Sequence, residues 1–372
     1  MSARHRSSAA PLGWLYAALI VYASLSPFSG WKQPAGVPLL GFGNMPWQPY
    51  WTWFDVISNV IGYMPLGALV FGAQVRGGRG AGWAALNTVI AGALLSLCME
   101  SLQNWLPRRV PSMADWLLNT GGTVLGLLVA VAVRRLGGVD RWQRLRDRWF
   151  IPRSAGGIAL LLLWPVGLFF PSSVPFGLGQ GVQRLREMVA GWLAGTPWES
   201  WVEGWVQAGD ALTPLSRSAE WLAIVLGVLA PSFVAFCIMR PGWHRVAQVP
   251  AALALGLAAT TLSTVLGFGP QHAWAWVTPA VAPALVASVC IGLALAFVPP
   301  RGVAALGLVA LTVLVAIVNQ APEDPYYAES LQSWEQGRFI RFHGLAQWVG
   351  WLWPFAGLMY LFARVVSRDE AS

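Results

Sequence analysis

Charge is what this chain has least of. Only 11% of its 372 residues are charged, whereas 56% are hydrophobic, and the mean hydropathy is +0.54. A soluble domain carries about a quarter charged residues. A water-soluble globular fold is therefore excluded, and an all-α, polytopic helical membrane protein is implied. Cysteine is scarce too. Cys98, Cys237 and Cys290 all lie inside apolar runs, with neither disulfide nor metal spacing, and read as small buried hydrophobes. The four histidines, His5, His244, His272 and His343, have no ligand-spaced partners, so no metal is expected. There is no nucleophile motif and no nucleotide-binding loop, and no cofactor is expected.

What the chain has in abundance is tryptophan. Its 23 Trp fit aromatic belts at a lipid–water boundary. The net charge of +8 raises the question of nucleic acid. The basic residues fall in short segments between apolar runs, which is topogenic charge, so no nucleic-acid partner is expected. The opening MSARHR and the apolar run at 12–28 mimic a secretory signal. The run is long and lacks an A-x-A cleavage site, so it reads as a retained first helix.

Hydropathy places about ten transmembrane helices near 11–29, 54–75, 81–104, 114–134, 155–171, 219–239, 246–267, 276–298, 302–319 and 345–364. With both termini cytoplasmic, 16 of the 24 basic residues fall inside, seven of them between 134 and 153. The reverse orientation would expose those seven outside, against the positive-inside rule. Three segments then lie outside: the Trp-rich 31–53, the stretch 171–218 with short amphipathic pieces, and the polar 320–344. The cytoplasmic VDRWQRLRDRWFIPR reads as a basic interfacial helix attracting anionic lipid. The expected organisation is a four-helix unit over 11–135, a basic linker over 136–154 and a second helical unit of about six spans over 155–366. Pro65 and Pro231 occupy comparable places in helices 2 and 6, and Pro354 can be laid over Pro65. Either a degenerate internal duplication or the easy alignment of apolar helices accounts for this.

The stretch ESLQNWLPRRVPSMADWLLNTGGTVLG, residues 100–126, stands apart from this background. It concentrates Glu100, Gln103, Arg108, Arg109, Asp115 and Asn119 between two apolar helices, where ionisable groups are costly. Glu100 and Gln103 share a helix face, as do Asp115 and Asn119, and two prolines break the backbone between the pairs. Ser112 and Asp115 form an S-x-x-D capping pattern. Asn59, one turn into helix 2, is a polar amide inside a span and a further candidate for the cluster. Gly122 and Gly126 form a GxxxG packing face, and Asp55 reads as a helix-start acid.

These residues resemble the VanZ-like family. The likeness is carried by DVISNVIGYMPLG, then E-x-x-Q, a Pro-Arg turn, D-x-x-x-N and G-x-x-x-G. It runs over about 11–135 and falls on Asn59, Pro65, Gly67, Glu100, Gln103, Arg109, Asp115, Asn119, Gly122 and Gly126. Arg108 stands where the family more often has Gly. The resemblance implies a bacterial plasma-membrane (inner-membrane) protein with an envelope role. The family's founding member is linked to low-level teicoplanin resistance, but no reaction is implied.

Three readings of the cluster follow. In one, Arg109 bridges Glu100 and Asp115 while Gln103 and Asn119 close the hydrogen bonds, a purely structural clasp in which each member is needed for folding. In another, Arg108 and Arg109 present a cationic edge to membrane lipids or a lipid-linked envelope precursor, since an arginine fork suits phosphate. In a third, Glu100 and Asp115 act as catalytic acid and base of a hydrolase or transferase on a polyprenyl-linked substrate. A non-catalytic scaffold for envelope machinery is the remaining alternative. Catalysis is the less favoured reading, and the oligomeric state is not legible.

Overall fold

The computed structural model describes residues 9–25, 28, 30–32, 45–47, 53–106, 109–152, 154–170, 172–200, 215–268, 270–321 and 340–367. Among them the chain is all-helical: α1 (Ala9–Leu25), α2 (Trp53–Arg76), α3 (Ala81–Gln103), α4 (Met113–Arg135), α5 (Gly138–Trp149), α6 (Ala155–Gly167), α7 (Val182–Leu193), α8 (Arg217–Ile238), α9 (Trp243–Phe268), α10 (Val281–Leu295), α11 (Pro300–Val318) and α12 (Ile340–Val366). Seven helices are long and apolar enough to cross a membrane, and three shorter apolar helices accompany them at Leu12–Leu25, Ala155–Gly167 and Val281–Leu295. Each corresponds to an apolar run in the sequence. Two compact units result, Met1–Arg144 and Leu145–Ser372.

In the first unit, consecutive helices run antiparallel, so α2 and α4 run parallel. The Tyr16 hydroxyl of α1 donates to the Gly62 carbonyl of α2, and the Trp116 indole of α4 donates to the Ala93 carbonyl of α3. The closest approach is between α2 and α4, and glycine permits it. A Cβ at Gly122 would overlap the Val60 carbonyl, one at Gly126 the Met64 carbonyl, and one at Gly67 the Thr123 carbonyl. Such bare-backbone contact is how helices associate where lipid removes the hydrophobic drive. α2 continues through Pro65. One end of this bundle therefore gathers the ends of α1 and α3 with the starts of α2 and α4. The opposite end carries exposed Arg76, Arg79, Arg134 and Arg135.

The second unit is organised around α8. Of its apolar window 83% is buried inside the protein, with α6, α9, α10, α11 and α12 packed around it. The chain between α6 and α7 also enters this core. Val174, Phe176 and Leu178 are buried in it. Buried irregular backbone needs polar partners, and it has them. Gly179 N donates to the Gly350 carbonyl, the Asn319 amide donates to the Gly179 carbonyl and its oxygen accepts from Val182 N, and the Gln180 amide donates to the Ala321 carbonyl. Phe176 adopts a left-handed φ of 62°, a strained conformation for a bulky residue. It is held there by its edge-on contact with Trp276 and by its carbonyl seated on Gly227.

Arg245 is almost wholly buried in the same unit. Its guanidinium donates to the carbonyls of Phe236 at 2.6 Å, in the last turn of α8, and Val298 at 2.8 Å, just beyond the end of α10. A cation at helix C-termini is favourably placed against the helix dipoles. The cysteines correct one expectation. Cys237 is buried, but Cys98 and Cys290 are exposed on their helices, because an apolar side chain in a span can face lipid as well as protein.

Candidate functional site

The polar end of the first unit draws all four of its helices together. Glu100 lies in the last turn of α3 and is 4% exposed. Its Oε2 accepts from Ser112 N at 2.9 Å, placing a carboxylate at the N-terminus of α4, where the helix dipole favours it. Ser112 is the N-cap of α4 in extended conformation, and its hydroxyl accepts from Ala114 N at 3.1 Å. The capping pattern read from the sequence is therefore half right. Ser112 caps α4 as its chemistry dictates, but its own backbone N–H is met by Glu100 of α3. Asp115 turns instead to α2, where its Oδ1 accepts from the Asn59 amide at 2.8 Å. Asn59 thus joins the cluster.

The remaining members reach other elements. Gln103, 4% exposed, donates from Nε2 to the Ser24 carbonyl at 3.0 Å. Arg109 donates from Nη2 to the neighbouring Ala23 carbonyl at 3.4 Å. Both acceptors lie in the last turn of α1, whose final carbonyls have no intrahelical partner. Asn119, 5% exposed, donates to the Ser96 hydroxyl of α3 at 3.0 Å. Glu100, Arg109 and Asp115 make further polar interactions besides these. Arg108 lies outside the described residues. Two described parts of the segment between α1 and α2 bond to this end, Lys32 N donating to the Trp105 carbonyl and Met113 N to the Pro46 carbonyl.

Two buried residues here escaped sequence reasoning, Tyr63 and Ser96. Tyr63 lies one turn beyond Asn59 on α2, and Ser96 one turn before Glu100 on α3, so the i, i+4 rule applied to the chosen residues would have found both. The Tyr63 hydroxyl is buried at this end of the bundle. Neither that hydroxyl nor Asn119 Oδ1 has a hydrogen-bond partner among the described residues.

Chemically, the end divides by depth. The carboxylate of Glu100 and the amides of Gln103 and Asn119 are buried and committed to helix-to-helix bonds. Arg109 is only partly buried. Among the described residues no group of three or more His, Cys, Asp or Glu could hold a metal ion.

Residues 11–134 match the family model VanZ/LLP1. The match takes in α1 to α4 and the entire polar end, so the N-terminal third of the chain is a VanZ-like domain within an all-α membrane protein. Comparison with curated proteins and comparison with solved structures each returned no match.

Proposed function

We propose that this chain, with its VanZ-like N-terminal domain, is a multi-pass protein of the bacterial plasma membrane that binds the anionic head of a lipid or lipid-linked envelope precursor at the extracytoplasmic face. The supporting observation is the division by depth at the polar end. Glu100, Gln103 and Asn119 are 4–5% exposed and turned onto other helices, whereas Arg109 stands partly open at the same end. A guanidinium at headgroup depth suits a phosphate or pyrophosphate. The sidedness rests on charge: Arg76, Arg79, Arg134 and Arg135 occupy the opposite end, as the positive-inside rule requires of a cytoplasmic face. Trp31, Trp47 and Trp53 are exposed, Trp31 near the end of α3 and the other two near the starts of α4 and α2, and would meet the lipid or sugar portion. An influence on teicoplanin-type susceptibility follows if the ligand is a wall precursor.

Native mass spectrometry of the full chain with polyprenyl phosphate or phosphatidylglycerol tests this. Wild type retains lipid; Arg109→Gln loses at least about tenfold in retention, the 1.4 kcal/mol or more of a charge-assisted bond. Equal retention by two folded proteins overturns the proposal.

A second reading, the structural clasp, is favoured by a specific observation: Asn59, Glu100, Gln103, Asp115 and Asn119 all bond to other elements of the unit. In that reading Arg109 pairs with Glu100 and Asp115 to close the same end. It predicts that Arg109→Gln lowers the melting temperature with retention of lipid unchanged.

A further inference from the structure

α5 joins two apolar helices and is unlike either. Over Gly138–Trp149 it carries Arg141, Arg144, Arg146 and Arg148. Helical spacing sorts its side chains. Trp142, Leu145 and Trp149, at i, i+3 and i+7, fall on one narrow stripe. Arg141 and Arg148 flank the stripe on one side and Arg146 on the other. Gln143 and Asp147 lie across the helix from it. The stripe is not spent on protein packing: Trp142 is 50% exposed and Leu145 is 49% exposed.

The C-terminal end of the helix is fixed. Trp149 packs edge-on against Trp243 and His244. Its carbonyl accepts from Arg240 N, and Ile151 N donates to the Ile238 carbonyl. Trp243 is itself 55% exposed, and Arg240 is exposed beside it. The apolar stripe therefore continues onto an anchored tryptophan that also carries arginine at its margin.

We infer that α5 is an anionic-lipid binding helix that lies in the bilayer surface, with Trp142 and Leu145 in the headgroup–acyl boundary and Arg141, Arg146 and Arg148 on lipid phosphates. Charge sorting carries the choice of partner. A helix that merely bridged two spans through water would have no reason to expose Trp and Leu on one stripe and border it with guanidinium groups. An acidic protein partner would be met by the arginines, but the exposed stripe calls for an apolar layer beneath them, which a bilayer supplies. Each arginine near an anionic surface strengthens partitioning about fivefold. The inference is independent of the site on α1–α4, because none of its residues is shared.

The test uses the full chain in nanodiscs. An environment-sensitive fluorophore is placed at Leu145→Cys in a background with Cys98→Ala and Cys290→Ala, since those two cysteines are exposed. In discs containing phosphatidylglycerol the label is blue-shifted and shielded from iodide. In pure phosphatidylcholine discs the shielding falls, and in phosphatidylglycerol it also falls with R141Q/R146Q/R148Q or at high salt. A label equally shielded in both lipids overturns the inference. So does a label open to iodide in both, or one indifferent to the three substitutions. A melting temperature unchanged by these exposed-face substitutions shows that the readout reports α5 and not unfolding.

Discussion

The two units solve the problem of packing in lipid by different means. In the second unit a central helix, α8, is surrounded on every side, with 83% of its apolar window buried. In the first, α2, α3 and α4 have only 22–28% of theirs buried. There, contact rests on glycines that bring α2 and α4 together backbone to backbone, and on side chains that bond from helix to helix at one end. A bundle without a central helix buries less of each span, so polar bonds supply specificity that a thick core obtains from dispersion and shape. The comparison explains why charged and amide residues concentrate in α3 and α4. It also shows where function can be sought: in the unit that keeps costly polar groups although little of each span is buried.

Substitutions can break this contrast, from the largest effect to the smallest. Gly126→Leu drives a side chain into the Met64 carbonyl and should destabilise the first unit by about 3 kcal/mol or more, seen as lost monodisperse protein on size-exclusion chromatography. Arg245→Ala in the second unit strips the Phe236 and Val298 carbonyls of their donor. It should cost about 2–3 kcal/mol, read as a lower melting temperature that lipid addition does not restore. Asn59→Ala and Asp115→Ala, combined in a double-mutant cycle, should show a coupling of about 0.6–1.7 kcal/mol, the range for hydrogen bonds between helices in membranes. Tyr63→Phe removes a buried hydroxyl that has no hydrogen-bond partner among the described residues. It should be neutral or slightly stabilising, within about 0.5 kcal/mol, in a thermal-shift assay. A large loss there would place Tyr63 among the residues that hold the bundle.

Much of the architecture was legible because length and hydropathy leave little choice in lipid. α2, α3, α4, α8 and α9 fall within a few residues of the apolar runs, and the basic helix α5 was visible as a break in them. The polar residues of the site were visible for the same reason, as ionisable groups in an apolar background. Their partners were not. Ala23 and Ser24 contribute only backbone carbonyls, which no residue type announces. The exchange at the start of α4, with Glu100 taking Ser112 N while Asp115 takes Asn59, depends on three helices meeting and not on the local S-x-x-D pattern. The burial of the loop at 174–178 was not read from the sequence. Val174, Phe176 and Leu178, alternating within it, carried the sign that one side faces a core.

The proposed headgroup site stands or falls on what lies against Arg109. A cryo-electron microscopy map of the full chain in nanodiscs loaded with polyprenyl phosphate, resolved well enough to show side chains, gives the most direct test. The expected result is phosphate density within hydrogen-bond distance of the Arg109 guanidinium, at the end opposite Arg76 and Arg134. Ordered lipid elsewhere, with Arg109 turned wholly onto Glu100 and Asp115, would contradict it.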